Sequence, residues 1–348
     1  MAGVIDLRSD TATKPTAGMY AAMAAAELGD EQRREDPTVN ELQRRAAELL
    51  GQEAALFVPT ATMANQIALR LLGTRGGELL AEERTHVLVY ESGGPAVHSG
   101  LVMRGVPAEA GRVTAEHVRD WVARCDGILQ PASVVVLEQT HRSSGGRVWP
   151  LDVFEQTVAA ARERGVRVHL DGARIMNASV ASGVPAATWG RLADTVTICF
   201  SKGLGCPLGA VIATSADRIE EAWRGKFLFG GAMRQAGVVA AAALYALDHN
   251  VERLAEDHAR ARRLAEGLAD AGLPVDPAAT ESNFVAIDVA PLGLDAAEAV
   301  ARIADAGVLV STLRPRVLRA VTALGVEDEH IERAVAAIPR ALGVLAAV

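Results

Sequence analysis

The sequence predicts an α/β fold: a large unit built on a mostly parallel sheet, followed by a small C-terminal α+β unit. Apolar and β-branched runs recur at 54–58, 87–90, 134–138, 166–170, 195–200 and 210–214, and near-continuous strands of this kind suit a sheet covered on both faces. Helical stretches such as 151–164 lie between several of them, which is the alternation of an α/β architecture. Past 271–276, where Gly272 and Pro274 interrupt, the pattern restarts in shorter pieces, with strands expected at 283–288, 308–312 and 318–321 and helices at 296–306 and 329–342. The expected division is a large unit with an N-terminal arm over 1–250 and a small one over 251–348.

Taken in order, Asp6, Arg8, Ser9, Asp10 and Thr11 place polar groups after a short apolar start, so this terminus is expected to be tied down rather than to fray. Asp36 followed by Pro37 reads as an N-cap with proline at the first helical position; Val39, Leu42, Ala46 and Leu49 then share a face, and Gly51 stops the helix. The strand at 54–58 turns through Pro59-Thr60-Ala61-Thr62 into a helix at 63–72. Such a start offers free N–H groups and the positive end of the helix dipole, which bind phosphate; an ordinary cap by Thr60 or Thr62 is the other use of these threonines. The stretch 237–268 reads as helical.

At 348 residues and 50% hydrophobic content, the chain can bury a large core. A net charge of −8 without a basic cluster argues against nucleic acid as a partner. Residues 1–10 carry Asp6, Arg8 and Asp10 where a signal peptide needs an apolar core, and the Ala-rich run 236–247 is far short of the roughly 20 residues of a membrane span. Neither export nor a membrane partner is expected. Cys125, Cys199 and Cys206 are odd in number and lack metal-type spacing, so no disulfide framework is expected and the natural compartment is the cytoplasm.

The chemistry centres on Lys202, which follows the apolar run 195–200 where a buried strand ends. A strand buried on both faces leaves an ammonium little water, so the site must pair the charge or lower the amine's pKa, as a Schiff-base lysine needs. Gly203 and Gly205 would let a flat ligand lie close to the backbone. A lysine that snorkels out at a strand end is the competing reading. Asp171 ends a neighbouring strand. An amine, a phosphate-binding helix start at Ala61-Thr62 and a strand-end carboxylate are the anchors pyridoxal 5′-phosphate needs for its aldehyde, phosphate and pyridinium nitrogen. His169 and Asp171 share a strand face and, with His141, offer a metal or hydrolase site instead. The run 203–209 superficially suggests a dinucleotide loop, but its third spacing is wrong and Pro207 interrupts the helix that must follow.

The chain resembles the low-specificity L-threonine aldolases, pyridoxal phosphate-dependent enzymes of the aspartate-aminotransferase-like fold type I. The resemblance rests on Asp6-Leu7-Arg8-Ser9-Asp10-Thr11, Glu35-Asp36-Pro37-Thr38-Val39, Pro59-Thr60-Ala61-Thr62, Glu138-Gln139-Thr140-His141, Leu170-Asp171-Gly172-Ala173-Arg174, Ser201-Lys202-Gly203-Leu204-Gly205 and Met233-Arg234-Gln235, in order across nearly the whole chain. It implies cleavage of a β-hydroxy-α-amino acid to glycine and an aldehyde, in a homotetramer built from dimers with active sites at a subunit interface. A related β-eliminating lyase or a transaldolase on another β-substituted amino acid is the alternative.

By the family pattern, Lys202 carries the cofactor, Asp171 pairs its ring nitrogen, His86 stacks on its face, and Thr62 with the backbone of Ala61 holds the phosphate. Arg234 matches an arginine that reaches a phosphate across the interface, and Ser9, Arg174 and Arg319 match the groups that hold the substrate carboxylate. His141 or His86 is the base for the β-hydroxyl proton, and no metal is called for. Where the family has a tyrosine and glycine, this chain has Gln32-Arg33-Arg34, expected to border the β-substituent pocket and favour a polar or anionic group; pairing of the arginines with Glu31 or Glu35 in solvent is the other reading. Ala61 replaces a glycine, and the loop 142–146 is longer than usual.

Overall fold

The computed structural model describes residues 3–125 and 128–344. Met1 and Val348, the outer ends of the two expected units, lie outside the described residues. The chain opens with the short strand β1 (Ile5–Asp6) and helix α1 (Ala17–Ala24). Asp36 caps α2 (Pro37–Leu50) by accepting from the Val39 amide, and Gly51 ends it at φ 66°, a conformation that suits glycine. Strand β2 (Ala54–Val58) turns into α3 (Ala61–Leu72).

Next come β3 (Glu78–Glu82), α4 (His86–Val89), α5 (Gly94–Ser99) and β4 (Val102–Val106). Two corrections fall here. The segment expected as a strand at 87–90 is helical, because the Glu138 carboxylate takes the His86 amide at 2.8 Å and so caps the turn. A four-residue apolar run carries no periodicity that separates strand from helix. Conversely, β3 and β4 escape the sequence pattern. Glutamates end β3, and both are buried because Arg104 and Arg84 pair with them; β4 is an edge strand whose first four residues are exposed.

The alternation continues through α6 (Ala115–Arg124), β5 (Ala132–Glu138), α7 (Leu151–Arg162), β6 (Arg167–Asp171), α8 (Ile175–Ser182), α9 (Ala186–Gly190), β7 (Thr195–Cys199), β8 (Ala210–Thr214) and α10 (Ala216–Leu228). The seven strands lie in the order β2-β8-β7-β6-β5-β3-β4. All neighbouring pairs are parallel except those of β8, which runs against both β2 and β7. Glu138 stands opposite Asp171, and Asp171 opposite Thr197, so the carboxyl ends of β5, β6 and β7 open at one edge. Ligands of open α/β sheets bind at such an edge.

The stretch expected as helical at 237–268 is two helices, α11 (Gly237–His249) and α12 (Leu254–Asp270). Between them Asn250 donates to the Leu204 carbonyl at 2.8 Å, which holds the break against the lysine loop. Strand β9 (Phe284–Asp288), helix α13 (Ala296–Asp305), strands β10 (Val308–Leu309), β11 (Ser311–Arg314) and β12 (Val317–Val321), and helix α14 (Asp328–Ala341) follow. Strands β11, β12 and β9 form an antiparallel sheet in that order. The N-terminal residues are tied down as expected: β1 pairs in parallel with β10, and Ile5 and Leu7 are buried among Leu264, Ile287, Ile303 and Ile338. Cys125, Cys199 and Cys206 are free thiols, and among the described residues no helix is long and apolar enough to cross a membrane.

Candidate active site

Lys202 sits just past β7, half-buried, and Thr13 Oγ1 donates to its carbonyl at 2.9 Å. Its positive charge acts on two buried carboxylates, Asp171 and Asp10. The neighbouring glycines sit against packed side chains. A Cβ at Gly203 would stand 2.9 Å from Leu254 Cδ2; Gly205 has φ +81°, and its Cβ would stand 2.7 Å from Leu324 Cδ2.

Asp171 is buried at the end of β6. Its Oδ1 accepts from the Ala173 amide at 3.1 Å and its Oδ2 from Asn65 Nδ2 at 2.9 Å. Asn65, on α3, also donates to Glu91 Oε1 at 2.8 Å, and its Oδ1 lies 3.0 Å from His169 Nε2. The amide orientation is dictated by charge: a flip would set a carbonyl against two carboxylates. Burial pushes the His169 pKa down to about 4, so the ring is neutral and Nε2 is the protonated nitrogen that donates to Asn65. Its Nδ1 then accepts from Thr195 Oγ1 at 2.8 Å. For Asp171, burial alone would favour the neutral acid, but the positive field of His86 and Lys202 outweighs it and holds the carboxyl below its ordinary pKa.

His86 opens α4 and is half-buried, with Nδ1 2.8 Å from Glu91 Oε1. Burial opposes its charge, but the bond to Glu91 and the charges of Asp171, Glu91 and Glu138 raise its pKa. His86, Glu91 and Asp171 bring ligand-type atoms within 4.8 Å of one another. Glu91 is already occupied there, since Gln66 Nε2 donates to its other oxygen at 2.6 Å.

His141 goes elsewhere. It is fully buried, with Nδ1 2.8 Å from Ser144 Oγ and Nε2 3.1 Å from Glu82 Oε2. The set His169, Asp171 and His141 is therefore not assembled as a metal or hydrolase site. Glu138 lies between His141 and His86: its Oε2 takes the His86 amide and lies 4.0 Å from His141 Nε2.

On the opposite side, Arg174 donates Nε and Nη2 to the two Asp10 oxygens, both at 2.6 Å, and both side chains are buried. Burial raises the Asp10 pKa, yet the Arg174 charge and bonds overcome it and bring it to about 2. Arg319 bonds neutral oxygens, Ser311 Oγ at 3.1 Å through Nε and the Arg8 carbonyl at 2.9 Å through Nη2. Ser9, next in the chain, accepts from the Thr11 amide. Arg174 and Arg319 both lie over the Phe284 ring, 5.0 and 5.5 Å from its centroid.

At the start of α3, Thr60 is the cap, its Oγ1 accepting from the Met63 amide at 3.1 Å. Thr62 is exposed, and the amides of Ala61 and Thr62 stand at a helix start, with no partner inside the helix. Asn65 lies one turn on from Thr62, on the same face. Arg234 is exposed and pairs with Asp30 at 3.1 Å. Arg33 is 74% exposed at 3.9 Å from Asp30, and Arg34 pairs with Glu220 and lies over Trp223. Neither meets Glu31 or Glu35 in an ion pair, and Glu31 is buried against Lys226.

Sequence reasoning assigned no role to Asn65, Glu91, Glu138 or Asp10. Asn65 is signalled by its spacing from Thr62, and Glu138 and Asp10 sit inside motif segments; Glu91 carries no such signal.

These residues fit pyridoxal 5′-phosphate: an ionised buried carboxylate for a ring nitrogen, a lysine beside it, and free amides one turn from the carboxylate's partner. Solved structures share the fold. A Leishmania major threonine aldolase superposes with TM-score 0.84 at 19% identity, covering 97% of this chain and all of that one. A Sphingomonas wittichii serine palmitoyltransferase does so with TM-score 0.76 at 21% identity, covering 99% and 89%. Fold and site together define an α/β enzyme of the pyridoxal phosphate-dependent fold type I. Residues 6–290 match the model of the beta-eliminating lyase family. The probable low-specificity L-threonine aldolase 2 of Arabidopsis thaliana is 42% identical over 90% of this chain and 91% of its own length. The low specificity L-threonine aldolase of Escherichia coli K12 is 39% identical over 94% and 96%. The chain belongs to the beta-eliminating lyase family and, within it, to the low-specificity L-threonine aldolases.

Proposed function

We propose that this protein is a pyridoxal 5′-phosphate-dependent aldehyde-lyase that cleaves L-threonine, L-allo-threonine and related β-hydroxy-α-amino acids to glycine and an aldehyde. The observation that carries the reading is Asp171: a buried carboxylate kept ionised at the sheet edge, facing the field of Lys202 and His86. When bound, the cofactor supplies the electron sink for a bond at the substrate Cα. Lys202 would hold its aldehyde carbon, Asp171 its ring nitrogen, and the Ala61 and Thr62 amides its phosphate, with His86 against the ring. Ser9, Arg174 and Arg319 would hold the substrate carboxylate. A fixed carboxylate decides which bond at Cα is aligned for cleavage.

Between the two histidines, the half-buried His86 rather than the fully buried His141 is the base. In its neutral form His86 gives Nδ1–H to Glu91, which fixes the tautomer and leaves Nε2 to accept the β-hydroxyl proton, directly or through water; the imidazolium so formed is favoured by Glu91 and Asp171. His141, closed in by Glu82 and Ser144, positions this side of the site through Glu138.

We propose a homotetramer, a dimer of dimers with active sites at the subunit interface, in the cytoplasm. Support comes from Arg234, exposed and paired with Asp30 within one chain, and from the exposed apolar side chains Val97, Phe227 and Leu228. We also divide the chain at 250/251, on the separate apolar cluster that residues 261–342 form with Ile5 and Leu7.

The test is the product analysis of purified holoenzyme. Glycine and acetaldehyde from L-threonine support the aldolase reading; ammonia and a keto acid point to the β-eliminating lyase instead.

A further inference from the structure

Arg142 is a charged group that this mechanism leaves unused. Its backbone amide donates to Glu138 Oε1 at 2.8 Å, while the other Glu138 oxygen takes the His86 amide, so one carboxylate positions both residues. The Arg142 guanidinium lies 4.2 Å from the centroid of the Tyr90 ring, which is itself 5.5 Å from the His86 ring. Its Nη1 is buried and has no hydrogen-bond partner among the described residues.

Arg142 is also close enough to Arg319 to repel it. Burial, Arg142 and Arg174 together pull the Arg319 pKa down to about 10. Arg174 and Arg319 share the Phe284 ring, and of the three guanidiniums only Arg174 has a carboxylate partner among the described residues, Asp10. A substrate α-carboxylate held by Arg319 offsets one of the two remaining charges. The other is left over, and an unpaired buried donor of this kind favours an anion.

The two aromatic rings separate the charges in space. Arg174 and Arg319 share Phe284, whereas Arg142 lies on Tyr90, beside the histidine that takes the β-hydroxyl proton. With the β-hydroxyl at His86, the other group on that carbon would have Tyr90, and Arg142 above it, within its surroundings.

Building on the aldolase reading above, we propose that Arg142 is a specificity-determining residue that receives an anionic β-substituent, so that the preferred substrate class is β-hydroxy-α-amino acids carrying a second carboxylate, such as β-hydroxyaspartate. The reaction balances without a further reactant: the Cα–Cβ bond breaks, the β-hydroxyl proton leaves to the base, the C–O bond becomes a carbonyl, and Cα takes a proton. The products are glycine and glyoxylate. This assigns to Arg142 the kind of charge selection expected of Gln32-Arg33-Arg34, where Arg33 is 74% exposed beside Asp30 within one chain.

The experiment compares holoenzyme with Arg142→Gln and Arg142→Lys. The ratio of kcat/KM for β-hydroxyaspartate over threonine should fall about tenfold or more in Arg142→Gln and be partly restored in Arg142→Lys, as loss of one charge-assisted contact requires. Equilibrium binding by calorimetry should show L-aspartate weakened relative to L-alanine in the same variant. Ratios unchanged in both measurements overturn the proposal. If neither substrate yields glycine, the aldolase reading fails, while the aspartate-to-alanine binding ratio still decides the role of Arg142.

Discussion

Arg174 closes two of its donors on Asp10, both at 2.6 Å, and so joins the turn after β1 to the loop after β6. The residue expected to hold a substrate carboxylate is already engaged by one from its own chain. This pairing fixes the guanidinium plane, leaving Nη1 and the adjacent Arg319 to meet a ligand. Asn283 Nδ2, 3.5 Å from Asp10 Oδ2, extends the same contact to β9.

Removing the charge of Asp10 should therefore cost stability as well as binding. Asp10→Asn leaves a buried guanidinium without its counter-charge, a change typically worth about 3–5 kcal/mol. Urea unfolding should show that loss, and KM for amino acids should rise because Arg174 is no longer held in one plane. Unchanged stability and KM would mean that the pair is dispensable.

Lys202→Ala should abolish cofactor attachment. Wild-type protein should be yellow, and borohydride should fix the cofactor to the peptide that contains Lys202. A reducible adduct on the same region of the alanine variant would remove Lys202 from this role.

Asp171→Asn should keep cofactor, because the amides at the start of α3 are untouched, while turnover drops by about 100-fold or more through loss of the carboxylate on the ring nitrogen. Asn65→Ala, which strips Asp171 and Glu91 of a shared donor, should give a smaller loss. The order of the two effects on kcat checks the network, and a larger loss for Asn65→Ala would contradict it.

The pH dependence of stability has a defined sign at His169. Burial holds the folded pKa at about 4 against an ordinary 6.5, so between these values the unfolded chain binds a proton that the folded one does not. Stability then falls as pH drops through this window, by roughly 3 kcal/mol for a shift of this size. Unfolding curves from pH 7 to pH 4 should show a shallower decline for His169→Gln than for wild type. Imidazole nitrogen spectra should place the His169 midpoint near the lower end of the window, and a midpoint near 6.5 would sink the assignment.

Much of this architecture was legible because the strands that build the sheet edge, 134–138, 166–170 and 195–200, are largely apolar or β-branched and end in polar groups. Lys202 and Asp171 could be picked out as polar residues at the ends of apolar strands. Strand β3 could not, since its terminal glutamates are neutralised by Arg84 and Arg104 only after folding. Glu91 was hidden for a related reason: its partners Asn65, Gln66 and His86 reach it from two different helices, and no spacing in the chain announces them. His141 reads as a catalytic histidine in sequence, and only the side chains of Glu82 and Ser144 reveal that it is enclosed. The 87–90 run misled because a carboxylate from β5 supplies the cap that makes it helical.

The union of β1 with β10 bears on how the protein is made. Arg8 and Arg319, which meet through a hydrogen bond, are 311 positions apart in the chain. On a translating ribosome the N-terminal arm emerges first, yet it has no strand to join until nearly all of the remaining polypeptide has been synthesised. The seven-stranded sheet can form earlier from its own strands. The carboxylate-binding side of the active site, which draws Ser9 and Asp10 from one end of the message and Arg319 from the other, must be among the last parts to assemble. A nascent chain halted before β10 would carry Lys202 and Asp171 but leave its arm adrift, with Ile5 and Leu7 exposed to chaperones and proteases.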